Sequence, residues 1–186
     1  MTKADLRRAA LAARAAVTDR EACNARALAR LGELIGAGRG RVLAGYMPMR
    51  DEIDPLPFMA AWEGSVCVPV VVGKGLPLVF RRWAPDVRMV PGTFGTMVPA
   101  EDVPLVPDVL IVPLVAFTDT GDRLGYGGGF YDRTLAALPG APSVGLAYAA
   151  QRVDRMPLEP TDVPLGAVAT EEGLWRGGGL VRDSPE

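Results

Sequence analysis

Apolar positions along the chain fall into two spacings, and the alternation between them predicts the elements. Over residues 3–16, Leu6, Ala10, Leu11 and Ala13 recur at helical spacing beside arginines, which predicts a helix. Thr18-Asp19-Arg20-Glu21 has the arrangement of a capping box and predicts a second helix reaching about Ile35, where Gly36, Gly38 and Gly40 end it. Val42 to Met47 reads as the first buried strand, ended by Pro48, and a short helix follows over 57–62. Val66 to Val72 is a β-branched run that predicts a second strand, and Leu78 to Trp83 a third. The strongest strand signal is Asp108 to Phe117, apolar on both faces as in a central parallel strand covered by helices. A glycine-dense loop comes next, then a helix over 130–138 and strands over 143–148 and 167–170. The alternation predicts a single α/β domain over 1–186, doubly wound around a mostly parallel central sheet, with a frayed tail over 176–186.

Composition narrows the function. Of the 186 residues 49% are hydrophobic and 23% charged, the balance of a globular protein rather than a disordered one. A net charge of −2 gives no basic face for nucleic acid, and there is no uninterrupted apolar run of membrane-spanning length. Arginines interrupt the Ala-rich start, so it reads as a cytosolic, cytoplasmic helix and not a secretory signal, although an Arg-rich amphipathic start also fits a mitochondrial transit peptide. Cys23 and Cys67 lie far apart without metal-type spacing and read as free thiols of a reducing compartment. The chain has 0 histidines, which excludes a Ser-His-Asp triad, a Cys-His pair and a histidine-ligated zinc site. Carboxylates, arginines, lysines, tyrosines and backbone groups remain, a set suited to handling phosphate.

Arg123-Leu124-Gly125-Tyr126-Gly127-Gly128-Gly129-Phe130-Tyr131-Asp132-Arg133 follows the predicted central strand and opens a helix, the place where an open α/β sheet binds ligands. Its glycines permit positive φ angles, and successive N–H groups can then form an anion nest at the positive end of the helix. Arg123 and Arg133 can add charge-assisted bonds to phosphate. The segment is not a P-loop, because Phe130 and Tyr131 stand where Gly-Lys-Ser/Thr would follow. It also misses the dinucleotide pattern at Phe130, and Tyr148 to Gln151 lacks the acid that would bind a ribose.

The chain resembles the 5-formyltetrahydrofolate cyclo-ligase family (methenyltetrahydrofolate synthetase). The resemblance rests on Lys3-Ala4-Asp5-Leu6-Arg7, on Tyr46 to Ile53, on Phe94-Gly95, on the block Asp108 to Asp132, and on Val144 to Tyr148 with Gln151. It implies a three-layer α/β fold and an ATP- and magnesium-dependent closure of 5-formyltetrahydrofolate to the 5,10-methenyl form through a phosphorylated formyl group. On this resemblance Lys3, Arg7, Arg123, Leu124, Gly125, Tyr126, Gly127, Gly128, Gly129, Phe130 and Tyr131 bind ATP, with Arg123, Lys3 and Tyr131 as catalytic groups. The reduced folate meets Met47, Glu52, Phe94 and the loop from Tyr126 to Phe130, and Asp132 and Asp162 hold magnesium. No nucleic-acid or membrane partner is implied, and the expected state is a monomer or weak homodimer.

Simple readings compete at several positions. Lys3 and Lys74 are the only lysines among 20 lysines and arginines, so an ammonium at Lys3 reads as selected, against a plain surface lysine. Glu52 between Asp51 and Asp54 also fits a solvated acidic turn, Met47 a core filler, and Asp162 an unpaired turn acid. Gly166 stands where the family usually carries a second aspartate, Val98 where a polar residue is common, and Thr118 where an aspartate is frequent. Two other functions remain open: a folate or nucleotide sensor without turnover, and a nicotinamide-dependent dehydrogenase.

Overall fold

The computed structural model describes residues 1–176 and 179–181. Helices α1 (Lys3–Ala15) and α2 (Arg20–Ile35) are followed by β1 (Val42–Ala44), α3 (Leu56–Ala60), β2 (Ser65–Val70) and β3 (Val79–Trp83). A hairpin of β4 (Met89–Pro91) and β5 (Met97–Pro99) leads to β6 (Val109–Pro113) and then to a second hairpin, β7 (Ala116–Phe117) and β8 (Arg123–Leu124). Helix α4 (Phe130–Ala137), β9 (Ser143–Leu146), β10 (Ala167–Ala169), β11 (Leu174–Arg176) and β12 (Gly179–Val181) complete the order.

The main sheet has eight strands in the order β12-β11-β10-β9-β6-β1-β2-β3. Strands β2, β1, β6, β9 and β10 run parallel, while β3 pairs antiparallel with β2 at one edge and, at the other, β11 pairs antiparallel with both β10 and β12. Successive strand residues point to opposite faces, and here both faces are covered. Val109 and Ile111 join Ala27 and Leu31 of α2 and Met59 of α3. Leu110 and Val112 join Leu135 of α4 and Trp175. That double burial explains why the β6 segment shows no polar alternation. Cys23 and Cys67 are free thiols buried in these two different clusters, and burial pushes the Cys67 thiol up to about 12. Among the described residues no helix is long and apolar enough to cross a membrane.

Several details differ from the sequence reading: β1 ends at Ala44 and β9 at Leu146, short of the expected Met47 and residue 148. The strand expected over 108–117 breaks after Pro113. Val115 N–H turns away to donate to Leu124 O at 2.7 Å, starting the β7–β8 hairpin. The buried Gln151 amide braces the break, donating to Leu114 O at 2.9 Å and Val115 O at 3.0 Å. Periodicity cannot see such a break, because the residues on both sides of it are apolar. The capping box expected at 18–21 is absent: Asp19 takes φ 51° and its side chain makes no cap bond among the described residues. Arg20 instead donates to Arg14 O at 2.7 Å and Ala15 O at 3.1 Å, so it closes the end of α1 and sets the turn. The capping box lies one helix earlier, where Thr2 and Asp5 cap α1 reciprocally. Of the frayed tail expected over 176–186, residues 177–178 and 182–186 lie outside the described residues, while Gly179–Val181 pairs with Leu174–Arg176.

Replacing Gln151 with leucine leaves two buried carbonyls without donors and is expected to cost about 1–3 kcal/mol, read as a lower urea midpoint. An unchanged midpoint would show that the break at Leu114 and Val115 is braced otherwise.

Candidate active site

Strands β1 and β6 are neighbours, yet the chain goes outward from β1 to β2 and from β6 to β9. Such a reversal opens a crevice beyond the carboxyl ends of the two strands, where α/β sheets bind ligands. The segment leaving β1 and the segment beyond β6 meet across it, with the Tyr126 hydroxyl donating to Glu52 Oε1 at 2.9 Å. Met49 N–H holds the other oxygen of Glu52 at 2.9 Å. The Glu52 side chain is only 5% exposed, so it is not a solvated turn acid. Burial pushes its pKa above the usual range, against Met49 N–H, the Tyr126 hydroxyl and Arg14, which favour the charged form. A cleft of about 720 Å³ opens beside it, lined by Arg20, Asn24, Arg50, Asp51 and Tyr148, a size suited to a small molecule.

The glycine loop closes the other wall. Gly127 and Gly129 have φ of 101° and 64°, a region costly for any side chain, whereas Gly125 and Gly128 do not need it. Arg7 Nε donates to Gly125 O at 2.8 Å and Arg133 Nη2 to Gly128 O at 2.6 Å, so arginines tie down the loop carbonyls. Among the described residues the backbone N–H groups of residues 126–128 have no acceptor, as an anion nest requires. Phe94, 72% exposed at the tip of the β4–β5 hairpin, lies with its ring 5.9 Å from that of Phe130, which brings a distant aromatic to the loop.

The charged groups form two couples. Arg123 donates twice to Asp132 Oδ1, at 3.0 and 2.9 Å, and Val163 N–H donates to the same oxygen at 3.1 Å. Lys3 Nζ sits 2.9 Å from both Asp162 Oδ2 and Glu159 Oε1. Burial works against charge on Lys3, but the Asp162 and Glu159 carboxylates outweigh it and hold its pKa above the ordinary value. For Asp162 burial is likewise outweighed, here by Lys3 and the Glu159 N–H, and its pKa is held down. The Asp132 carboxylate bonds to Arg123 and Val163, so it is not simply a cap of α4. Among the described residues no three His, Cys, Asp or Glu side chains cluster as a metal cage. Asp132 and Asp162 fit the other mode, in which magnesium takes one or two carboxylates together with substrate phosphates.

The model of the 5-formyltetrahydrofolate cyclo-ligase family matches residues 1–171. The chain belongs to that family. A 5-formyltetrahydrofolate cyclo-ligase of Escherichia coli is 42% identical over 147 residues, 72% of this chain and 79% of that protein. One from Haemophilus influenzae is 46% identical over 95 residues, 47% of this chain, and the match spans about half of that relative's length, 51%. The NMR structure of Aquifex aeolicus 5,10-methenyltetrahydrofolate synthetase shares the fold with a TM-score of 0.78 and 29% identity, covering 100% of this chain and 97% of that one. The resemblance and the α/β class read from the sequence are both borne out, and the chain is an enzyme of cyclo-ligase type.

Against this family background the remaining expected positions differ in their surroundings. Met47 packs, half-buried, against the core cluster on the α2 side. Tyr131 has a buried hydroxyl without a hydrogen-bond partner among the described residues, and burial pushes its pKa up. Gly166 donates to Ser143 O at 3.1 Å beside β9, and Val98 is buried in the β4–β5 hairpin. The Thr118 hydroxyl bonds Asp122 Oδ2 at 3.1 Å within the β7–β8 turn. The sequence reading missed Arg14, which is buried and reaches Tyr126, Asp51 and Glu52. Its signal was an arginine continuing the four-residue spacing of Leu6 and Ala10.

The Lys3 couple yields a pH prediction. Asp162 is held below its ordinary 3.8, so its pairing stabilises above that value and is lost as pH falls through the lower folded pKa. Lys3 is held above its ordinary 10.5, so its share is full below that value and lost as pH rises through the higher folded pKa. The stability gap between the wild type and Lys3→Met should therefore be widest between those limits and close beyond each. Urea unfolding across pH measures it; a gap unchanged at both extremes would contradict the pairing.

Proposed function

We propose that the chain catalyses the ATP- and magnesium-dependent closure of 5-formyltetrahydrofolate to 5,10-methenyltetrahydrofolate, releasing ADP and phosphate. The observation that carries this reading is the bond from Tyr126 of the glycine loop to Glu52 of the opposite wall. It joins a phosphate-type loop to a carboxylate suited to a pterin edge, so two ligands bound on either side would meet in the crevice.

A formamide oxygen is a poor leaving group. Transfer of the terminal phosphoryl group to that oxygen, with ADP leaving, makes it a good one; the neighbouring folate nitrogen then attacks the formyl carbon, loses its proton, and the oxygen departs as phosphate. The requirements are in-line placement and neutralised charge rather than a nucleophilic side chain, which suits a chain with 0 histidines. In this reading Lys3, Arg7 and Arg123 face phosphate oxygens, and the N–H groups of the loop from Leu124 to Gly129 cradle them. Asp132 and Asp162 are the carboxylates for magnesium, which when bound neutralises phosphate charge. Glu52 accepts from the pterin, and Phe94 and Phe130 flank an aromatic ring of the folate. Met47 lines the folate side, and Tyr131 supplies a buried hydroxyl beside Arg123. We assign the chain to the cytoplasm, as a monomer or weak homodimer without nucleic-acid or membrane partners.

Absorbance at the methenyltetrahydrofolate band, with ATP, magnesium and purified protein, tests the reaction. Folate binding without product would favour a sensor instead, and nicotinamide binding in place of ATP a dehydrogenase. The loop has its own test in Gly127→Val. At φ 101° a branched side chain is strained, and its Cβ would lie 3.4 Å from Arg7 Nη2. The expected result is at least a roughly tenfold loss of ATP affinity by calorimetry, with an unchanged far-UV spectrum. Wild-type ATP affinity would remove the nest from the account.

A further inference from the structure

Leu6, Ala10 and Arg14 are the buried positions of α1, one above the other on a single face. At the third stands a guanidinium that is 1% exposed. Its Nε and Nη1 have no hydrogen-bond partner among the described residues. Buried donors left unpaired on a charged group are destabilising, and methionine would fill the same stripe without that penalty. Packing therefore gives no reason for an arginine here.

Its contacts do. Arg14 Nη2 donates to the Tyr126 hydroxyl at 3.0 Å and lies 3.4 Å from Asp51 Oδ1. Its unpaired Nη1 lies 3.7 Å from Glu52 Oε1, the same oxygen that accepts the Tyr126 proton. One cation thus bears on both walls of the crevice.

We propose that Arg14 is a positioning residue: through Tyr126 and its own charge it keeps the buried Glu52 ionised and aimed at the folate. This rests on the reading of Glu52 as the acceptor for the pterin edge. That edge presents two adjacent N–H donors, which an ionised carboxylate can accept together and a protonated one cannot. The Met49 N–H also favours the charged form but carries no net charge, and the remaining groups facing Glu52 do not secure it. Asp51 on its own loop opposes it, Tyr46 and Tyr131 flank it as neutral hydroxyls, and Arg20 is turned to Asp51 at 3.7 Å. Arg14 is the cation that favours the charged form.

The test is the pH profile of kcat/KM for 5-formyltetrahydrofolate in Arg14→Met, Tyr126→Phe, Arg14→Lys and Glu52→Gln. Arg14→Met should move the acid limb to higher pH and, on that limb, raise the folate KM about tenfold while kcat and the ATP KM stay close to wild type. Tyr126→Phe should move the limb the same way by less, and Arg14→Lys, which keeps the charge, should bring it back toward wild type. If Arg14→Met does not fold, Tyr126→Phe decides the matter on the same limb. A limb that stays in place in Tyr126→Phe and, where it folds, in Arg14→Met, or a loss of kcat alone, overturns the proposal. Glu52→Gln separates the two readings. A wild-type folate KM there overturns the role of Glu52 itself. A raised KM with the limb abolished, beside an unmoved limb in the Arg14 and Tyr126 variants, overturns Arg14 alone.

Discussion

Parallel strands β1 and β6 share hydrogen bonds, yet the chain departs from β1 toward one edge of the sheet and from β6 toward the other. The two segments leaving those strands cannot both continue over the same helix layer, so they part and a crevice remains between them. Glu52 arrives from the β1 side and Tyr126 from the β6 side, and their 2.9 Å bond spans the gap. Helix α1 lies across the gap's end, with Leu6 and Ala10 packed on Val115, Ala116 and Leu124, which sets Lys3, Arg7 and Arg14 along one edge of the site.

Charge in the crevice is arranged in opposed couples: Lys3 with Asp162, Arg123 with Asp132, Arg14 with Asp51 and Glu52. A buried or partly buried cation with its own carboxylate is held in place without a ligand, which avoids the penalty of a lone buried charge. On the proposed reading the first two couples part on binding, Lys3 and Arg123 turning to phosphate and Asp162 and Asp132 to magnesium, while Arg14 stays with Glu52.

Much of this was legible in the sequence where the cause is local. The apolar run over Val109–Pro113 is unbroken because both its faces are covered, and that reads directly from composition. The glycine loop was legible because Gly127 and Gly129 need backbone angles that few residues supply. What stayed hidden depends on residues far apart in the chain. The break at Leu114 and Val115 is braced by Gln151, 37 and 36 positions away. The start of α2 is shaped by Arg20 reaching back to the end of α1, which overrides a local cap signal. Arg14 continues the spacing of Leu6 and Ala10, but its role shows only when Tyr126, 112 positions on, is seen against it.

The couple between Lys3 and Asp162 closes a loop of 159 positions. During synthesis, therefore, Lys3 and Arg123 leave the ribosome well before the 159–163 segment that supplies Asp162 and the Val163 N–H to Asp132. The β1, β2 and β6 strands can assemble from what has already emerged, but the charged wall of the crevice cannot. A nascent chain thus passes through an interval in which the inner strands β1, β2 and β6 can pair while the charged wall, like the β10–β12 edge of the sheet, is still to come.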